Sequence, residues 1–421
     1  MNFPLPGLPA IPSLAHPAVG YKIRTMKAYK FKLKPSAKLI AIFDMWLRLL
    51  CELYNAAIQE RRDAYRINGV CVGKKEQSAQ LPDIKKERDD LARIHSQVIQ
   101  ETLKRVDLAF KNFFRRVKEK KEKAGFPRFR SHCRYDSFTY PQSGFKMDQK
   151  RKKLHLSKIG SVKLHLSRPI EGVIKTCTIK READGWYVIF AVEENERKPV
   201  VVAPEDEVGI DVGLKSFAVL STGEPIENPQ LYRQAEASLK RAQRRVSRRR
   251  KGSHRRKKAA RLLAKKHQTV ARQRRDFHFK EAKKLVVRFR VIKFEDLMMG
   301  NLMKNHHLAK SICDAGWSQF ISIAASKAEE AGGRVIVVNP AGTSSRCSRC
   351  GQKHKMPLHI RTYRCSSCGL VIDRDHNAAI NIKERKGRAV LSGRRRVAVV
   401  EEPRTCRATD PESPTITGTR A

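Results

Sequence analysis

Four cysteines and three acids in the C-terminal half could do chemistry. Cys347-x2-Cys350 and Cys365-x2-Cys368 are two CxxC pairs fourteen residues apart, trailed by Gly351 and Gly369, which allow a tight turn after each pair. Two thiolates from one turn can bind one metal, and four complete a closed tetrahedral zinc site. With no open coordination position, that zinc would be structural. One CxxC would leave a redox dithiol open; two at ribbon spacing favour zinc over coincidence. The acids are Asp211 after the apolar run VGI, Glu295 at the end of IKFE, and Asp375 at the start of a final helical run. Hydrolysis of a phosphodiester by two divalent ions about 4 Å apart needs carboxylates converging from separate elements. Singly, each acid has a plainer reading: Asp211 as a turn residue, Glu295 as a surface acid, Asp375 as a helix N-cap. Asp375 can be both cap and ligand.

The chain that must position these groups has 421 residues, enough for two or three domains, and a formal charge of +47 from 89 Lys+Arg against 42 Asp+Glu. Such a surplus draws polyanions through counterion release. No apolar run approaches the roughly 20 residues a membrane-spanning helix needs. The segment MNFPLPGLPAIPSLAHPAVGYK lacks the charged start and continuous apolar centre of a secretory signal. Residues 1–25 and 387–421 are expected to be disordered, with the patterned chain starting at Met26. Cys51, Cys71, Cys133, Cys177, Cys313 and Cys406 are scattered, which suits free thiols in a reducing cytoplasm better than a disulfide framework.

Periodicity divides the rest. KAYKFKLKP (27–35) alternates like a strand. Pro35-Ser36 opens a helix whose stripe is Leu39, Ile42, Phe43, Trp46, Leu47, Leu50, Leu53 and Tyr54. A second helix is expected from about Asp89 to Lys123, with Ile94, Val98, Leu103, Val106, Phe110, Phe113, Phe114 and Val117 inward; Gly125 and Pro127 break it. Strands follow from about Asp136 to Val202. The order suggests a small β-barrel, residues 26–202, interrupted by a helical lobe at about 36–125. Pro199–Glu207 reads as a linker. Residues 203–386 then run β-hairpin, helix, strand (291–296), helix, strand (334–340), helix, an order that matches an RNase H-like domain. Residues 240–275 hold eighteen Lys/Arg and no Asp or Glu. Leu239, Ala242, Val246, Ala259, Leu262, Leu263 and Val270 make part of this stretch helical, with Arg244, Arg245, Arg248, Arg249, Arg255 and Arg256 as candidate phosphate contacts. A short helix is expected at 282–288.

The strings GIDVGLKSFAVLS, FEDL, VVNPAGTSSRCSRCG, YRCSSCG and DRDHNAAINI, with YKFKLKPSAKL and GFPRFR upstream, resemble the TnpB family, the OrfB proteins of insertion sequences and relatives of type V CRISPR effectors. The resemblance covers about residues 26 to 385. It implies an α/β multidomain fold: a β-barrel wedge domain with an inserted helical recognition lobe, then a RuvC-type, RNase H-like nuclease domain with a zinc ribbon at about 343–371. It implies an RNA-guided DNA endonuclease that cuts beside a short transposon-adjacent motif. The implied metals are magnesium on Asp211, Glu295 and Asp375, chosen over the neighbouring Asp296 and Asp373, and zinc on Cys347, Cys350, Cys365 and Cys368. The implied partners are a guide RNA from the transposon end and target double-stranded DNA, with a monomeric protein in the RNA complex. Basic helix ends and aromatics such as Tyr54 and Phe129 suit a backbone-binding surface. An RNA-guided repressor without cleavage would be expected to lose a triad acid. A zinc-ribbon nucleic-acid-binding protein explains charge and zinc but not the acids. A strand-transferring transposase could share the triad but not the family strings.

Overall fold

The structure is a computed structural model that describes residues 24–119, 124–195, 205–354, 357 and 360–390. Strand β1 (Arg24–Lys34) buries Tyr29, Phe31 and Leu33 and exposes the lysines between them, the period of 2 that a half-buried strand requires. It begins two residues ahead of Met26, so the fold extends slightly past the expected boundary. Helix α1 (Ala37–Asn68) starts where the Ser36 side chain accepts the Leu39 N–H and stops at Gly69, φ 65°. Its buried stripe includes Phe43, Trp46, Leu47, Leu50, Leu53 and Tyr54. Tyr54 is 2% exposed and belongs to the core, so it is not on a surface; Phe129 is 49% exposed.

Short helices α2 (Lys74–Ala79), α3 (Leu81–Glu87) and α4 (Asp89–Ala92) precede α5 (Ser96–Lys118). The single helix expected from Asp89 is therefore broken at residues 93–95. Its end near Lys123 lies outside the described residues. Phe114 and Val117 are exposed rather than inward, because α5 has run past the body that covers its first turns. Strands β2 (Ser137–Tyr140), β3 (Phe145–Asp148), β4 (Lys153–Leu156), β5 (Gly160–His165), β6 (Val173–Glu182) and β7 (Gly185–Asn195) join β1 in an antiparallel sheet ordered β2-β6-β7-β1-β5-β4-β3. Residues 141–144 link its two edge strands, and Tyr140 packs on Phe145 and donates its hydroxyl to Ser157 O at 3.0 Å. Among the described residues no ladder joins the edges. The layer is barrel-like, with side chains rather than backbone bonds bringing its edges together.

The second layer contains β8 (Glu205–Val212), β9 (Ser216–Leu220), β10 (Pro225–Glu227), α6 (Leu231–Ser247), α7 (His254–Arg288) and β11 (Phe289–Glu295). It continues with α8 (Met299–Leu302), α9 (His306–Ala315), α10 (Trp317–Glu330), β12 (Arg334–Val338), the hairpin β13 (Thr362–Arg364) and β14 (Val371–Asp373), α11 (Arg374–Glu384) and β15 (Arg388–Ala389). The sheet order is β10-β9-β8-β11-β12-β15, with β8, β11 and β12 parallel and the others antiparallel to their neighbours. Val208, Ile210, Ile292 and Phe294 project from one face into a core with Phe217, Leu285 and Phe320.

Three expectations change here. Glu205–Glu207 belong to β8 rather than to a linker. The helix at 282–288 is the end of α7, 35 residues long, which also carries the second part of the basic stretch, from His254 on. Arg388 and Ala389, assigned to a disordered tail, pair with β12. The two lobes meet where Arg272 of α7 donates to Asp184 (2.9 Å) and Glu182 (3.0 Å) at the β6–β7 turn. Among the described residues no helix is long and apolar enough to cross a membrane.

Candidate functional site

Parallel pairing sets Phe294 beside Ile210. Both side chains enter the core, so the next residues, Glu295 and Asp211, project together from the opposite face. Helix α11 lies on that face. Its approach depends on Gly209: a Cβ there would stand 2.1 Å from Ala379 O and 2.4 Å from Lys383 N. Lys293, also on this face, bonds the Lys383 carbonyl at the end of α11 and Glu207 at 2.7 Å. The N-terminus of α11 is thereby aimed at the strand ends. Its cap is Asp373, whose carboxylate accepts the N–H groups of Asp375 (2.8 Å) and His376 (3.1 Å). Asp375 is therefore not the cap; it sits in the first turn, where its carboxylate pairs with Arg361 Nη1 at 3.6 Å.

Asp211 feels the charges of both other acids. Burial pushes the Asp211 carboxyl up to about 8, and the charges of Glu295 and Asp375 push the same way. Burial also raises Glu295, against a hydrogen bond from Thr343 and the charge of Arg385. Two buried carboxylates held above their usual range, Asp211 and Glu295, favour a cation beside them. An all-oxygen donor set suits magnesium or manganese rather than a softer ion.

The four cysteines also converge. Their sulfurs lie within 4.8 Å of one another, with Cys347–Cys368 at 3.6 Å and Cys350–Cys365 at 3.5 Å. Tetrahedral zinc with Zn–S of 2.3 Å would set the sulfurs about 3.8 Å apart, so the donor set fits zinc closely. Gly351 and Gly369 take φ of 77° and 71°, the left-handed conformation their position after each pair suggested. His354 is an addition the cysteine spacing does not reveal: its Nε2 lies 3.2 Å from Cys365 Sγ.

Two asparagines of α11, also missed, bind this knuckle to the helix that carries Asp375. Asn377 accepts the Ser348 N–H at 2.9 Å and donates to Arg346 O at 2.8 Å, gripping both neighbours of Cys347. Asn381 donates to Arg346 O (2.7 Å) and Thr343 O (2.8 Å). Their spacing in the string NAAIN, one helical turn, was the available signal.

Helices α6 and α7 form an antiparallel pair whose cleft, about 690 Å³, is lined by Arg245, Arg249, Arg255, Lys258, Arg261 and Lys265 with Ala259 and Leu262. The lining contains no acid. Arg244 and Arg248 are exposed outside this cleft. Arg256 turns inward and donates to Val246 O (3.2 Å) and Arg249 O (3.0 Å), closing the C-terminus of α6. It is spent on the fold, so its expected role as a phosphate contact is the weakest of the six.

An antiparallel sheet interrupted by helices, followed by a mixed sheet with acids at neighbouring strand ends and a four-cysteine knuckle, suits a class of multidomain nucleic-acid-processing proteins. The OrfB model of insertion sequences, described as "Probable transposase", matches residues 190–306, and a "Cas12f1-like, TNB domain" model matches 317–382. The chain is 30% identical over 388 residues to a protein of Escherichia coli (strain K12) named "Putative RNA-guided DNA endonuclease InsQ", covering 88% of this chain and 94% of that one. It is 34% identical over 367 residues to a "Putative RNA-guided DNA endonuclease" of Streptomyces pristinaespiralis, covering 85% and 88%. A solved Cas12f1-sgRNA-target DNA complex shares the fold, with a TM-score of 0.55 at 15% identity over 86% of this chain and 99% of that one. The chain belongs to the TnpB (OrfB) family.

Proposed function

We propose that this protein is an RNA-guided DNA endonuclease encoded by an insertion sequence, which cuts target DNA next to a short transposon-adjacent motif. The observation that supports this is the placement of Asp211 and Glu295 on one face of adjacent parallel strands β8 and β11, with Asp375 of α11 near enough for its charge to act on Asp211. A central strand order with β8, β11 and β12 parallel and β9 reversed supports an RNase H-like, RuvC-type nuclease domain. The barrel-like sheet interrupted by α1–α5 supports a wedge domain with a recognition lobe. Asp211, Glu295 and Asp375 would hold magnesium ions, which supply an activated water and neutralise charge on the leaving oxygen. The thiolates of Cys347, Cys350, Cys365 and Cys368 would hold a structural zinc.

The chain's own contribution is orientation and charge. Lys293 and Gly209 fix where α11 lies, Asp373 frees Asp375 from capping, and the basic cleft draws the nucleic-acid backbone inward. A monomer bound to one guide RNA, acting on double-stranded DNA in the cytoplasm, suits this layout. The test is guided plasmid cleavage in magnesium. Asp211→Ala, Glu295→Ala and Asp375→Ala should each abolish cutting while guide-RNA affinity, set by many basic residues, stays within about twofold. Cutting at close to the wild-type rate by any one of them removes that acid from the centre.

A further inference from the structure

Thr343 lies in the turn between β12 and the first CxxC pair. Its side chain is almost wholly enclosed, 3% exposed. The hydroxyl has one proton and two acceptors in reach, the Glu295 carboxylate and Pro340 O at 3.0 Å. The charged acceptor is the nearer and stronger of the two. The backbone of Thr343 is fixed in turn, since its carbonyl accepts from Asn381, whose amide also holds Arg346 beside Cys347. A buried hydroxyl aimed at an acid, on a turn gripped by the helix carrying another acid, constrains more than the local loop.

We propose that Thr343 is a positioning residue of the nuclease centre: its hydroxyl holds the Glu295 carboxylate in the orientation that binds a divalent cation. This rests on the nuclease reading above. A glutamate has three side-chain torsions to fix, and one donor on a rigid turn selects a single rotamer. The carboxylate oxygen left unbonded by Thr343 is then presented to the cluster. Removing the donor leaves Glu295 able to bind metal but not held to do so.

The test compares Thr343→Val, which keeps the shape and loses the donor, with Thr343→Ser, which keeps the donor. Manganese binding is followed by electron paramagnetic resonance on the full chain in its RNA complex, with the Asp211→Ala complex as blank. The magnesium concentration for half-maximal cleavage is measured in parallel. Thr343→Val should weaken manganese binding and raise the magnesium requirement by about tenfold, the scale of one lost hydrogen bond to a charged group. Thr343→Ser should stay within about twofold of wild type. Unchanged manganese affinity in Thr343→Val overturns the proposal, as does an equal loss in both variants, which would assign Thr343 to packing alone. Wild-type protein binding no more manganese than the blank would instead remove the metal centre itself.

Discussion

Replacing Asp211 by Asn should destroy cleavage and yet stabilise the metal-free fold at alkaline pH. The Asp211 carboxyl is held at about 8 in the folded chain against an ordinary value of 3.8. The folded value lies above the unfolded one, so the protonated acid is what the fold favours. Its contribution is full below about pH 3.8 and is lost as pH rises through about 8. About four pH units at roughly 1.4 kcal/mol apiece give a loss on the order of 5 kcal/mol from this one group. An amide is neutral throughout and escapes that loss. In chelator, thermal unfolding of Asp211→Asn should therefore lie several degrees above wild type at pH 8, with the gap shrinking towards pH 5. Magnesium should raise the wild type and leave the variant nearly unmoved, because the cation needs the charged oxygen. A variant no more stable than wild type at pH 8 in chelator, or a gap that ignores pH, would refute the reasoning.

Gly209→Ala should force α11 and Asp375 away from β8, since the new methyl meets backbone at 2.1 Å; about 1–3 kcal/mol of stability and about a hundredfold in cleavage rate should be lost, and normal values for both would place the helix elsewhere. The triple change Arg245→Ala, Arg249→Ala and Arg255→Ala should lower the slope of log affinity against log salt by about 3 for duplex binding, measured by fluorescence anisotropy. Arg256→Ala should leave that slope alone and cost about 1 kcal/mol of stability through the unsatisfied α6 carbonyls; the reverse pattern would exchange the two roles. Freshly prepared, unchelated protein should carry about one zinc per chain by metal analysis, and Cys368→Ser should lose zinc and stability together.

Local chemistry was the most legible part of the sequence. CxxC spacing and its trailing glycines are fixed by one turn of backbone, so the cysteines could be placed with no knowledge of the fold. Asp211 and Glu295 were readable because apolar runs mark the strands at or near whose ends they lie. Asp375 could be read as cap and ligand together, but Asp373, two residues earlier, takes the cap at the chain's entry to α11. The continuity of α7 was hidden because its lysines and arginines sit on several faces and leave no clean stripe. Asn377, Asn381, Thr343 and His354 act through one or two bonds each to loop backbone, a carboxylate or sulfur, and such bonds impose no period on a sequence. Arg256 looked like its neighbours by composition; only the path of α6 shows that two carbonyls claim it.

The two-residue strand β15 has a consequence for how copies of this protein behave towards each other. It pairs Ala389 with Ile336 and Arg388 with Val337, and Val390 N–H bonds Val335 O at 2.8 Å. Beneath it runs RVIVV, a short β-branched segment of the kind that templates strand addition between molecules. Gly387 makes the cover possible, because a Cβ there would lie 2.4 Å from Val337 O. Residues 387–390 are thus a guard on an otherwise open sheet edge. A chain cut back to residue 386 would keep every metal ligand and expose Arg334–Val338 to its neighbours, so its fault would surface as aggregation at high concentration rather than as altered chemistry.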